Sequence, residues 1–281
     1  MCYNRYSEPF PFSVSPFQKE ALFLKKNYHT HTFRCFHAQG NDADFAAAAA
    51  EQGFSVIGYS DHSPWPFKGY VSGMRMPASA LDDYVNSITD LRAQYKGKME
   101  ILLGLECEYF PQYLPWMCAM VEKHGLDYLI LGHHFSGDET TGPYNGSLRD
   151  PADVLRYQKD VCAAMKTGLF AYICHPDLFM RGYPQFDNTC EKASRAIIET
   201  ALETGTPLEY NLLGLQHNFE DGKPGYPYPD FWRLAAQYKA TAIIGVDAHT
   251  PGAYRNEQLI ARAERDLAEL GIPITDEIRL F

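Results

Sequence analysis

Seven times along the chain, a short run rich in β-branched, aromatic and leucine residues precedes a segment with helical character. The runs cover residues 26–30, 54–60, 100–107, 128–132, 171–174, 207–211 and 242–246. The helical segments are 44–52, 79–95, 112–124, 151–167, 189–203, 229–238 and 256–270. In the first of them, the alanine block 46–50 favours helix and Gly53 suits a left-handed stop. Strict β-then-α alternation predicts a parallel sheet, because parallel neighbours need a long crossover between them. Seven repeats without a break in composition predict an α/β chain folded as one closed or nearly closed (β/α)7 TIM-like barrel over residues 26–281. Residues 1–25 then form an N-terminal extension, whose Phe10, Phe12 and Phe17 are expected to pack across the barrel bottom or to form an interface. Three connections that follow strands, 63–78, 135–150 and 212–227, are long enough to form a lid or a substrate wall over the C-terminal mouth.

Each run ends in side chains that bind cations. In order they are His29 and His31; Asp61 and His62; Glu106; His133 and His134; His175 and Asp177; Glu209 and Asn211; Asp247 and His249. Residues two apart on an extended strand face the same way, so His29 with His31 and Asp247 with His249 each aim two groups into the mouth. A histidine such as His175, taken singly, reads as a hydrogen-bonded core residue. Glu106, inside the apolar run ILLGLECEY, is costly to bury unless a cation meets it. Seven of the ten histidines at equivalent strand ends exceed what core filling explains, and they point to bound metal. Imidazoles and carboxylates without thiolate spacing suit zinc, iron or manganese, and the donors are too many for one ion. Glu106 is the natural bridge between ions. His124 is expected to be a solvated residue at a helix C-terminus, while His217 is either substrate-facing or merely exposed.

A formal net charge of −10 excludes nucleic acid and anionic membrane as main partners, leaving a small metabolite as the expected ligand and the oligomeric state open. No run approaches the roughly 18 apolar residues of a membrane span, and the start lacks a signal-like pattern. The seven cysteines, scattered without a Cys-X-X-Cys pair, read as reduced, mostly buried residues of a cytoplasmic protein.

The ordered set His-Thr-His at 29–31, His37, Ser-Asp-His at 60–62, Gly-Leu-Glu at 104–106, Gly-His-His at 132–134, His-Pro-Asp at 175–177 and Gly-Val-Asp-Ala-His at 245–249 resembles the polymerase and histidinol phosphatase (PHP) family, monofunctional histidinol-phosphatase branch. Further stretches carry the branch resemblance: YSDHSPWPF, MRMPASALDDY and LEYNLLGLQHNFEDGKPGYPYPDF. The resemblance implies a distorted seven-stranded barrel with three divalent ions. One ion would be held by His29, His31, Glu106 and Asp247; a second by Glu106, His134 and His175; a third by His37, His62 and His249. His134 is favoured over His133 by the family pattern, with His133 and Asp61 left to packing or to orienting a ligand. Where the branch tends to carry an arginine after the Gly-Leu of the sixth strand's loop, this chain has Gln216, His217 and Asn218. Arg181, Arg75, His217 and Asn211 remain the substrate-binding candidates.

The expected activity is hydrolysis of a small phosphomonoester, with L-histidinol phosphate the substrate that the resemblance implies, by a metal-activated hydroxide, with His29, His31, Glu106, Asp247 and His249 at the centre. A phosphodiesterase, exonuclease or nucleotide phosphatase is the nearest rival, and the acidic balance argues against it. An amidohydrolase would want a metal-bridging lysine at the fourth strand, where this chain has His133 and His134. A non-catalytic metal-binding protein is the alternative from another class; structural zinc sites tend to be closed four-ligand sites.

Overall fold

The computed structural model describes residues 24–281. The expectation for Phe10, Phe12 and Phe17 therefore lies outside the described residues. Leu24 already belongs to the fold: its side chain is buried and its amide donates to Glu264 Oε1 at 2.8 Å.

The strands are β1 (Lys26–Asn27), β2 (Val56–Tyr59), β3 (Glu100–Cys107), β4 (Tyr128–Leu131), β5 (Leu208–Asn211) and β6 (Ala242–Gly245). All pairings between them are parallel, in a curled four-stranded sheet β1-β2-β3-β4 and a two-stranded sheet β5-β6. Segment 171–174, expected as a strand, contributes one bridging residue, Ile173, which pairs with Leu131 on one side and Leu208 on the other. A further parallel bridge joins Thr30 to Ala248.

Eight α-helices are found among the described residues: α1 (Asp42–Glu51), α2 (Leu81–Gln94), α3 (Leu114–His124), α4 (Pro151–Lys166), α5 (Asn188–Thr204), α6 (Leu212–Asp221), α7 (Pro229–Gln237) and α8 (Glu257–Leu270). Asn41 starts α1 with a capping box in which its side chain accepts from Asp44 N and the Asp44 carboxylate accepts from Asn41 N. Helix α6 was not expected, since 212–227 reads as a loop. It forms because Asn211 caps it through Gly214 N, Leu212 and Leu215 bury a shared face, and Gly222 ends it in the left-handed conformation. His124 ends α3 as expected but is not solvated; its side chain is largely covered and Nδ1 lies 3.5 Å from Asp82.

Alternation along β3 sorts the core. Ile101, Leu103 and Leu105 face the main core with the helix side chains, whereas Leu102 joins Tyr28, Val56, Tyr128, Ile130, Tyr172 and Ile243 in a smaller cluster. By the same alternation Leu102, Gly104 and Glu106 share a face of the strand, so Glu106 stands beyond the apolar filling, toward the C-terminal end.

Candidate metal centre

Backbone pairing brings the first and last strand ends together. His31 N donates to Ala248 O at 2.9 Å and Ala248 N donates to His29 O at 3.1 Å, which sets His29 and His31 beside Asp247 and His249. A parallel bridge between His62 and Glu106 adds the second and third strand ends.

Around Glu106 the side chains converge. His29 Nε2 lies 3.0 Å from His31 Nε2, 3.5 Å from Glu106 Oε1 and 3.4 Å from Asp247 Oδ1. His31 Nε2 lies 3.3 Å from Glu106 Oε2 and 3.4 Å from Asp247 Oδ1. On the other side of the carboxylate, His175 Nε2 and His134 Nε2 approach Oε1 to 3.0 and 3.5 Å. His62 Nδ1 is 2.9 Å from Glu106 Oε2. The rings of His37 and His62 are 5.4 Å apart, and those of His37 and His249 are 4.9 Å apart.

Hydrogen bonding pairs only part of this set, His175 Nε2 with Glu106 Oε1 and His29 Nε2 with His31 Nε2, both at 3.0 Å. Glu106 Oε2 and Asp247 Oδ1 are buried, yet neither makes a hydrogen bond among the described residues despite imidazole nitrogens within 3.4 Å. His29, His31 and Asp247, and likewise His31, His62 and His249, each bring three donor atoms within 4.8 Å of one another. Donors bound about 2.1 Å from one tetrahedral ion stand about 3.4 Å apart, close to the spacings seen here. The residues thus fit divalent metal ions by donor type, spacing and lack of other partners.

Four of the imidazoles are held from behind, as metal-binding histidines usually are. Nδ1 of His29 lies 2.7 Å from Glu209 Oε1, Nδ1 of His134 lies 3.1 Å from Glu108 Oε1, Nδ1 of His37 lies 2.6 Å from Cys35 O, and Nδ1 of His249 lies 3.0 Å from Asp247 O. For His29 and His134 this leaves Nε2 facing the cluster. Space for the carboxylates comes from glycine: a β-carbon at Gly132 would lie 1.9 Å from Glu106 Oε1, and one at Gly245 would lie 1.8 Å from Glu209 Oε1. His175 and Asp247 both adopt positive φ, 31° and 50°, a strain of about 1–3 kcal/mol each that clusters at functional sites.

Charge is shared unevenly. Burial raises the carboxyls of Glu106 and Asp247, but the surrounding imidazoles, His134 first for Glu106 and His29 first for Asp247, hold both well below the carboxylate range. Burial lowers His31, yet Asp247 and Glu106 override it and push the ring up to about 9. His29 is raised in the same way against its burial, chiefly by Asp247 and Glu209. His62 is driven well down by burial and then by His31, and His37 falls to about 4 through burial, His249 and His31.

The remaining expectations sort by position. His134, and not its neighbour, faces Glu106; His133 packs between Phe110 and Tyr157, and its Nδ1 accepts from Tyr109 N at 3.3 Å. Asp61 is engaged by the amide and hydroxyl of Thr32, with His31 Nδ1 4.0 Å away. Arg181 is exposed and reaches Tyr144 Oη at 3.4 Å, while Tyr144 stacks on His134 and Tyr226 meets His175 edge-on. Arg75 is placed otherwise than expected of a phosphate contact: it is buried, pairs twice with Glu108, and donates to Glu139 and to Ser63 O. The pull of two buried carboxylates explains this. Asn211 bridges Glu209 Oε2 and Asp247 Oδ2, and His217 sits half-buried on α6. Glu108 escaped the sequence reading, although its position two residues after Glu106 was a usable signal of a shared face.

Imidazoles and carboxylates gathered at the ends of parallel strands define a class, α/β proteins built to hold divalent ions at a strand-end mouth. Within that class the chain belongs to the PHP domain family, whose family model matches residues 27–212. It is 29% identical over 229 residues to a Deinococcus radiodurans protein named "Probable histidinol-phosphatase", spanning 80% of this chain and 86% of that one. To the histidinol-phosphatase of Bacillus subtilis it is 24% identical over 257 residues, 81% of this chain and 94% of the relative. The fold matches the crystal structure of histidinol phosphate phosphatase from Lactococcus lactis, complexed with zinc, L-histidinol and phosphate, with a TM-score of 0.67 at 18% identity over 90% of this chain and 98% of that chain.

Proposed function

We propose that the chain is a metal-dependent phosphatase that hydrolyses a small phosphomonoester, with L-histidinol phosphate as the favoured substrate. The observation that carries this reading is the convergence of His29, His31, His62, His134 and His175 on the single carboxylate of Glu106, with Asp247 set against His29 and His31. The names of the relatives give the substrate class. We take residues 26–281 as one catalytic unit, and the bridges at Ile173 and between Thr30 and Ala248 as the remaining seams of a distorted seven-stranded barrel.

In this reading three ions are held. His29, His31, Glu106 and Asp247 take one, Glu106, His134 and His175 the next, and His37, His62 and His249 the third. Such ions, when bound, lower the pKa of water toward about 7 and neutralise charge on phosphoryl oxygens. The protein's own groups do the rest. Glu209 and Glu108 keep protons on Nδ1 of His29 and His134, so both rings present Nε2 lone pairs to the cluster. Arg181, beside Tyr144 at the open side, orients the incoming phosphate as a charge-assisted donor. A cavity of about 300 Å³ lined by Leu212, Gln216, Asp247, His249, Asn256 and Leu259 leaves room for the alcohol that departs.

The test is a substrate comparison with metal-reconstituted protein: L-histidinol phosphate, p-nitrophenyl phosphate and the corresponding bis-ester. Phosphate release from the monoesters, with the diester at least about 100-fold slower, supports the reading. Preferential cleavage of the diester overturns it in favour of a phosphodiesterase.

A further inference from the structure

Behind His134 stands a chain of buried charges that the ligand sets leave unused. Glu108 is fully buried. Its Oε1 faces His134 Nδ1 at 3.1 Å and accepts from Arg75 Nη2 at 2.6 Å. Its Oε2 accepts from Trp65 Nε1 at 2.7 Å and from Arg75 Nη1 at 3.0 Å. Arg75, only 2% exposed, donates through Nε to Glu139 Oε2 at 2.6 Å. Glu139 Oε1 also accepts from Ser72 Oγ at 2.5 Å and Tyr70 Oη at 3.1 Å.

The chain position of each member matters. Trp65, Tyr70, Ser72 and Arg75 lie on the connection after β2, Glu108 follows β3, and Glu139 lies on the connection after β4. That last connection is itself rooted at the ligand, because Asn145 N donates to His134 O at 2.7 Å and Asn145 Nδ2 donates to His133 O at 2.9 Å. A single guanidinium therefore joins two connections at the mouth to the carboxylate that faces one ligand. An isolated buried carboxylate would be too costly to keep charged, so Glu108 depends on Arg75 to remain an acceptor for His134. Consistent with this, burial raises the Glu108 carboxyl but the Arg75 guanidinium pulls it far below its usual range.

We infer that Glu108 and Arg75 are a positioning pair for His134, and that Glu139 holds Arg75 from its other side, so that two mouth connections and one ligand imidazole are set by the same ion-pair chain. The inference rests on the metal-binding reading of the site, and its readout is ion binding without turnover. Removing a carboxylate behind a metal-binding histidine commonly weakens the ion 10- to 100-fold.

The experiment measures zinc per chain and zinc affinity by chelator competition on the full chain, with melting temperature as the control for folding. In Glu108→Ala and Arg75→Ala, one ion is expected to weaken about 10- to 100-fold while the others keep wild-type affinity. The double variant should weaken that ion no more than the worse single one, because both act through one ring. Glu108→Asp keeps the negative charge for Arg75 while drawing the carboxylate back from His134, so it should show the same selective loss even if the alanine variants fold poorly. Wild-type affinity at every ion in Glu108→Asp overturns the inference, as does uniform weakening of all ions in proportion to a fall in melting temperature. A wild-type protein that binds no zinc would instead overturn the metal-site reading itself.

Discussion

Gly132 and Glu106 share one space: a β-carbon on the glycine would lie 1.9 Å from Glu106 Oε1. Gly132 follows β4 directly, and its amide is fixed on Cys107 O at 3.0 Å, so the backbone cannot retreat. In Gly132→Ala the carboxylate has to move. Because Glu106 belongs to two of the proposed ligand sets, this variant should lose ions at both, and kcat should fall by at least about 100-fold, the scale of a 1 Å misplacement. Elemental analysis beside steady-state kinetics checks it; normal metal content with normal kcat would refute the shared-space argument.

His37 contributes from a different edge of the cluster. It meets His62 and His249 by ring contact, whereas no ion pair to Glu106 or Asp247 is seen for it among the described residues. His37→Ala should therefore remove one ion and leave the others in place. Unchanged metal content under the same loading conditions would show that this imidazole is not a ligand.

Glu209 holds His29 from behind at 2.7 Å and also accepts from His175 N and Asn211 Nδ2 through its other oxygen. Glu209→Gln keeps the shape but sets an amide NH2 against donors. Affinity for the ion at His29 should drop about 10- to 100-fold. Chelator competition reads the loss directly, and equal affinities would mean that ring orientation there is set by packing alone.

Asp187 supplies a pH test away from the site. It caps α5, with Oδ1 accepting from Thr189 N at 2.8 Å and Cys190 N at 3.0 Å. Burial works against its charge, but these amides and Tyr183 Oη hold the carboxyl below its ordinary value. A carboxyl lowered in the folded state stabilises above the unfolded pKa of about 3.9, and the contribution disappears as pH falls through the lower folded value. Asp187→Ala should cost about 1 kcal/mol at pH 7, and the gap from wild type should shrink below about pH 4. Urea unfolding at both ends of that range measures it; a gap that widens in acid would reverse the assignment.

How much of this was legible depended on which property carried the information. His29, His31, His62, Glu106, His175, Asp247 and His249 stand out because residues of ligand chemistry recur at the ends of successive β-rich runs; alternation gives a shared facing only for His29 with His31 and Asp247 with His249, and His134 is preferred to His133 through the family pattern alone. Arg75 was misplaced because a guanidinium's charge is visible in sequence while its partners are not; Glu108 and Glu139 lie 33 and 64 residues away from it. Helix α6 falls within 212–227, which the sequence presents as one long connection after a strand, although Asn211 and Gly222 mark the helix ends. The run 171–174 has strand-like composition and does hydrogen-bond on both sides, through Ala171, Tyr172 and Cys174 to Leu129 and Leu131 and through Ile173 to Pro207 and Glu209, but it is too short to extend the ladder beyond the bridges at Ile173.

Metal dependence is tested most directly by titrating chelator-stripped protein with metal and following phosphate release from L-histidinol phosphate as ions are restored. The stripped chain should show negligible turnover, with a rise that levels off near about three ions per chain and no recovery in His29→Ala at any metal concentration. Full turnover in stripped protein, or His29→Ala behaving as wild type, would contradict that dependence.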